Sequence, residues 1–448
     1  MSTASPLSLD QWAEAQLHIS AAKMAESVSA TSLVKHRPGF GQTVRPAKGS
    51  VLAAPGVGES EPDYFFHWLR DSAAIMDAAL ILILHGIDAE GWKQRFADFV
   101  RFSRDLSRIS GRRFLAETDM RSRTALDMQQ FLRPDEDIAA VEGDKVLGEV
   151  RYNADGTLDF LRWNRPQHDG PAFRALACLR HLDAGLLADG ARDAAHDLIH
   201  LDLHYTAKHA GEPCYDLWEE EIARHYYTCL VQFAALQEGA HWAKANGHGD
   251  YAARLDAAAQ RLREMLDGFW SPDNGFYPSR VMPAGGTTAK ELDSAVILGV
   301  LHAGLASGPR SVGDDRVAMT LQRLEEHFGA DYAINRQVGA GLAFGRYPGD
   351  TYVSGGAWFI CTFAAAEFLY KRAIARGDAA LIAKGDAMLE MARKFIPASG
   401  EISEQFDQTT GEQTSARNLA WSYAAFITAW QARADALQTI GKRQRPRG

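Results

Sequence analysis

Along most of the chain, apolar positions recur every three to four residues, the spacing that lays them on one face of a helix. The pattern predicts about twelve helices, at roughly 9–30, 67–86, 89–107, 170–186, 190–209, 219–245, 249–269, 291–306, 314–328, 356–376, 379–395 and 417–440. These stretches are rich in Ala and Leu, the residues that cost a helix least. Strand signals are sparse. One is the run from Val150 to Phe160, where Asp155-Gly156 has the chemistry of a hairpin turn. Taken in order, the helices form consecutive pairs. Six pairs can close into a double-walled ring in which each wall buries one apolar stripe against the other. The expected fold class is therefore all-α, a six-fold α/α barrel with a small β-hairpin in a loop. An α-solenoid would need a self-similar repeat of fixed period, and the sequence has none.

No Gly/Ser/Pro linker divides the chain, so a single domain over residues 1–448 is expected. The Gly- and Pro-bearing stretch from about 33 to 63 reads as ordered surface loop. Across 448 residues the hydrophobic content is 46%, enough for a large core and too much for disorder. The net charge of −9, with no basic face, argues against nucleic acid and for a neutral substrate. Cys178, Cys214, Cys229 and Cys361 form no CxxC pair and metal-ligand spacing is absent, so neither a disulfide framework nor a zinc site is expected. The longest apolar run, near Ile75–Leu84, is broken by Asp77, and the N-terminal segment shows no charged stretch followed by an apolar one, so no signal peptide is expected. The expectation is a cytoplasmic protein without membrane partners.

Polar and aromatic residues cluster just before predicted helices, at Tyr64–Asp71, Trp163–Asp169, Tyr215–Glu221, Arg346–Thr351 and Ser403–Asp407. Loops on a rigid scaffold are where sites are commonly built. Two readings fit the Tyr215–Glu221 stretch. Asp216 with Glu219, Glu220 and Glu221 can cap a helix and complement its dipole. Alternatively, the apolar wall of Trp218 and the neighbouring carboxylates can keep one Glu protonated, as a general acid requires. Glu404, with Gln405 beside it, is either a solvated loop residue or the second carboxylate that glycoside hydrolysis needs. Trp163 and the polar loop after it are a structural turn or a sugar shelf. Arg70-Asp71 is a simple ion pair and Arg346/Asp350 a solvated surface turn, or each is a donor fork with an acceptor for sugar hydroxyls.

Five stretches carry a resemblance: YFFHWLRDSA, WNRPQHDGPAFRA, YDLWEE, GRYPGDTYVSGGAWFICTFAAAEFLY and SEQFDQTTGEQTSARNLAWSYAAF, in that order from Tyr64 to Trp430. Together they resemble the glucoamylase family, glycoside hydrolase family 15, in its fungal-type catalytic domain. The resemblance implies the six-fold α/α barrel and inverting, exo-acting hydrolysis of α-1,4-linked maltooligosaccharides from their non-reducing ends, without cofactor or metal. It implies Glu219 as general acid and Glu404 as general base, with Tyr64 and Gln405 holding the water. Arg70, Asp71 and Arg346 would bind sugar, with Asp350 beside Arg346. Trp68, Trp163, Trp218 and Trp421 would supply walls. The Leu217 main chain would contact hydroxyls, Glu220 would bind substrate, and Asp216 would order the acid's surroundings. Gly349 and Val353 stand where fungal members usually carry Glu and Tyr, and His168 stands where an Arg is common. These departures leave isomaltose, other α-1,6-glucosides and trehalose as alternative substrates. No starch-binding module is expected. The rival from another class is a non-catalytic carbohydrate-binding protein.

Overall fold

The computed structural model describes residues 7–58, 62–336 and 341–444. The Met1–Pro6 stretch and part of the 33–63 loop lie outside these residues. The chain divides into two compact units, one of residues 1–25, 270–278 and 289–448, the other of residues 26–269 and 279–288.

In the 26–269 unit, three helix pairs follow one another: Leu69–Leu84 with Ala89–Leu106, Asp169–Asp183 with Asp189–Lys208, and Tyr226–Ala245 with Gly249–Asp267. The first members of the pairs pack side by side and are buried on nearly all sides. The second members cover them and bury one stripe each. In Ala89–Leu106, for example, Trp92, Phe96, Phe99 and Val100 face inward while charged residues face solvent. The 289–448 unit repeats this logic. Ala295–Ala303, Phe359–Arg376 and the helix beginning at Ala420 are its buried members, backed by Asp315–Asp331, Ala380–Arg393 and Leu9–Glu26. Gly304 and Gly377, in left-handed conformation just after their helices, return their N–H groups to carbonyls of the last turn and end those helices.

All twelve expected helices are present. Three features differ. Short helices at Gly111–Glu117, Met120–Arg123 and Asp135–Ala139 had too few turns to show a period. The Asp155-Gly156 turn exists, but the Arg151–Asn153 strand finds its main partner in Phe66–Trp68. The helix expected from 219 starts only at Tyr226, and Cys214–Tyr215 instead pairs antiparallel with Ile222–His225. No helix among the described residues is long and apolar enough to cross a membrane.

Candidate active site

The 26–269 unit gathers most of the expected site residues. Strand Phe66–Trp68 runs directly into the Leu69–Leu84 helix, which places Arg70 and Asp71 in its first turn. The neighbouring helix begins with Asp169-Gly170. A Cβ on Gly170 would lie 2.7 Å from the Leu69 Cβ, so glycine is what lets the two helix starts approach. Across that short gap Arg70 donates to Gln167 Oε1 (2.8 Å) and Asp169 Oδ2 (3.0 Å). Its other terminal nitrogen reaches Glu219 Oε1 at 3.2 Å and lies 3.7 Å from Asp71. A single buried cation thus meets four acceptors, three of them carboxylates.

Glu219 sits at the tip of the turn joining Cys214–Tyr215 to Ile222–His225. Its Oε1 also accepts from Trp68 Nε1 at 2.8 Å, and its Oε2 accepts from Trp163 Nε1. Asn164 donates to its carbonyl at 2.6 Å. Glu219 holds φ at +67°, a left-handed value that costs a non-glycine residue of order 1–3 kcal/mol and persists only where the surroundings impose it. Asp216 supplies much of that constraint. Its Oδ1 accepts from the backbone N–H of Glu220 (2.7 Å), and its Oδ2 accepts from Arg280 (3.0 Å), which also donates to Glu221. The helix-capping reading of Asp216 is therefore wrong: it closes a hairpin turn, not a helix start. Leu217 and Trp218 are buried within this turn, and Glu220 is half-buried. Tyr64 stacks edge-on against Trp68 at 5.5 Å, and Trp68 meets Trp163 at 6.2 Å.

Residues that received no individual role from the sequence hold this group together. Arg151 lies 3.6 Å above the Trp163 ring and 4.1 Å above Phe66, and is tied to Asp159 at 2.9 Å. It is a buried cation beneath the aromatic wall. Asp169 and Gln167 anchor Arg70, and Gln167 also donates to the Asp216 carbonyl at 3.1 Å. Burial pushes the Asp71 carboxyl up to about 6. Glu219 and Asp169 add to the rise, and Arg70 opposes it.

The remaining expected residues belong to the 289–448 unit. Arg346 donates to both oxygens of Asp350, at 2.7 and 2.6 Å, and both side chains are buried. A solvated surface pair is thereby excluded. The guanidinium lies about 5 Å from the rings of Tyr347, Tyr352 and Trp358. Glu404 precedes a two-residue strand, Gln405–Phe406, which pairs with both Ala357–Trp358 and Gln413–Thr414. Its N–H donates to the Ala416 carbonyl at 2.8 Å, and its Oε2 accepts from the Ser415 hydroxyl. It is 4% exposed, which excludes the solvated-loop reading. Gln405 is fully buried, and its Nε2 has no hydrogen-bond partner among the described residues. Trp421, in the first turn of the last helix, packs on His302 at 5.9 Å.

Comparison with known proteins bears on these motifs. The family model described as Glycosyl hydrolases family 15 matches residues 39–431. A glucoamylase of Blastobotrys adeninivorans is 27% identical, over 87% of this chain and 68% of its own length. A protein of Schizosaccharomyces pombe described as a probable glucoamylase is 29% identical, over 94% of this chain and 91% of its own. Among solved structures, the family 15 glucoamylase of Hypocrea jecorina matches with a TM-score of 0.77 at 25% identity, covering 96% of this chain and 73% of that one. The protein is a glycoside hydrolase. The chain belongs to glycosyl hydrolases family 15, and its fold class is the α/α barrel of the glucoamylase structures.

Proposed function

We propose that the protein is an exo-acting α-glucosidase of glucoamylase type that releases β-glucose from the non-reducing ends of α-1,4-linked maltooligosaccharides by a single displacement. In this reading Glu219 protonates the glycosidic oxygen while Glu404 takes a proton from the attacking water. The observation that carries it is the setting of Glu219. Three donors on Trp68, Trp163 and Arg70 hold a carboxylate in a strained turn, a cost that a surface glutamate would relax. Arg70 and Asp71 set a donor and an acceptor side by side, and the Asp71 side chain keeps 12% of its surface exposed for a sugar hydroxyl. Glu404, oriented by Ser415 and the Ala416 carbonyl, is fixed as a base should be. Tyr64, Gln405, Trp421 and the Leu217–Glu220 main chain complete the proposed substrate contacts.

One observation favours relaxed linkage choice. Gly349 brings no side chain, and a Cβ built there meets nothing within 4 Å. Val353 is exposed with φ at +56°, a poor conformation for a β-branched residue. A second sugar would find few fixed partners there. The test is glucose release from maltose, isomaltose and trehalose, in wild type, Gly349→Glu and Val353→Tyr. Maltose should be the best wild-type substrate. Gly349→Glu should lower the isomaltose-to-maltose ratio of kcat/KM by about one decade, the worth of one hydrogen bond to a charged group, and Val353→Tyr should lower it by less. Unchanged ratios would remove this loop from linkage choice, and trehalose as the best substrate would overturn the α-1,4 assignment.

A further inference from the structure

We propose that His168, His209 and Glu212 form a binding site for a divalent transition-metal ion of the zinc or copper class. Each offers one ligand atom, and these atoms lie within 4.8 Å of one another. His209 Nδ1 is 2.7 Å from Glu212 Oε2, and the His168 and His209 rings stack with centroids 4.9 Å apart and planes 14° from parallel. Sequence spacing could not show this group, because it joins the start of one helix to the end of the next. His168 immediately precedes the Asp169–Asp183 helix, His209 immediately follows Asp189–Lys208, and Glu212 lies in the loop leading to Cys214–Tyr215.

The surroundings are those of a built site. The Tyr205 hydroxyl, 2.7 Å from His168 Nδ1, fixes the orientation of that ring, as the outer partner of a ligating histidine does. Gln232 ties the two segments together. Its Nε2 donates to the carbonyls of His168 (3.4 Å) and His209 (3.2 Å), and its Oε1 accepts from the Gly211 N–H. Two imidazoles and one carboxylate suit zinc, copper or nickel and not calcium or magnesium, which take oxygen ligands. His168 is buried while Glu212 is exposed, so an ion would enter from the Glu212 side and keep solvent on its open positions. The site is separate from the proposed reaction, yet it adjoins it. Asp169 follows His168 and holds Arg70, which donates to Glu219. A bound ion would clamp the two segments that carry Asp169 and the Glu219 turn.

The experiment is calorimetric titration of the tag-free full chain with zinc chloride, repeated on His209→Ala, Glu212→Gln and His204→Ala. The last variant breaks an exposed pair, His200 and His204, spaced one helical turn apart, which is the rival ligand set. Wild type should bind one zinc ion and gain thermal stability from it, and magnesium should do neither. Loss of an outer partner of a metal ligand costs about 10–100-fold in affinity, so loss of a ligand should cost at least as much in His209→Ala and Glu212→Gln. His204→Ala should bind as wild type does. Absence of zinc binding to wild type, equal affinity in His209→Ala, or loss in His204→Ala would each overturn the assignment.

Discussion

Glu219→Gln should lower kcat by about 10²–10⁴-fold, the usual worth of a general acid, and Glu404→Gln should lower it by a comparable factor. The two variants should differ in how well the protein tolerates them. Among the described residues, the hydrogen-bond partners of the Glu219 side chain are donors: Trp68 and Arg70 at Oε1, Trp163 at Oε2. An amide must turn its NH₂ toward one of these donors, so Glu219→Gln should also lose up to about 1 kcal/mol of stability, the low end of the cost of an unsatisfied polar group, because this side chain is only half-buried. At Glu404 the Ser415 hydroxyl, one donor to the side chain, can rotate and accept instead, so Glu404→Gln should keep this contact and lose less stability than Glu219→Gln while losing activity. Steady-state kinetics and urea unfolding of both variants check this, and wild-type kcat in either would remove that residue from the chemistry.

Arg70→Met and Asp71→Asn should move stability in opposite directions. Removing Arg70 leaves the buried Asp71 and Asp169 and the half-buried Glu219 without their shared cation. Breaking a buried ion pair from one side costs about 3–5 kcal/mol. Asp71 is the reverse case, because its carboxyl is raised to about 6, mainly by burial. Between the unfolded value near 3.9 and that folded value, the folded state binds more protons than the unfolded. The associated stability is present below about pH 4 and is lost as pH rises through 6. At pH 8 the buried charge costs about 3 kcal/mol, at about 1.4 kcal/mol per pKa unit. Asp71→Asn should thus be more stable than wild type at pH 8 by up to about that amount and no more stable at pH 4. Both variants should lose activity, since both remove a proposed sugar contact. Unfolding midpoints at pH 4, 6 and 8 decide it, and a pH-independent difference for Asp71→Asn would contradict the assignment.

Much of this was legible in the sequence, for identifiable reasons. Long Ala/Leu helices repeat their period four or five times, so their existence does not depend on any one residue. The strands are two to four residues long, too short to alternate, and only tertiary pairing defines them. The misplaced start of the Tyr226–Ala245 helix has a specific cause. An acidic run before apolar residues imitates a helix N-terminus, whereas here Asp216 and Arg280 stabilise a turn that holds Glu219 in a conformation no helix admits. The motif residues Arg70, Asp71, Glu219 and Glu404 could be picked out through the family resemblance, since a helix cap, an ion pair or a solvated loop fitted their local chemistry as well. Arg151, Asp169 and Ser415 could not, because what they do depends on which ring, cation or carboxylate the fold brings near them. Arg346 and Asp350 were visible as an i,i+4 pair, but their burial was not. His168 was visible only as a departure from a pattern, and its stacking on His209 needed the structure.

Hydrolysis by a single displacement is tested most directly by proton NMR of the first glucose formed from maltotriose, recorded before mutarotation. The β-anomer should appear first, with the α-anomer growing in only as the sugar equilibrates. Initial α-glucose would mean retention through a covalent intermediate, and would contradict the roles proposed for Glu219 and Glu404.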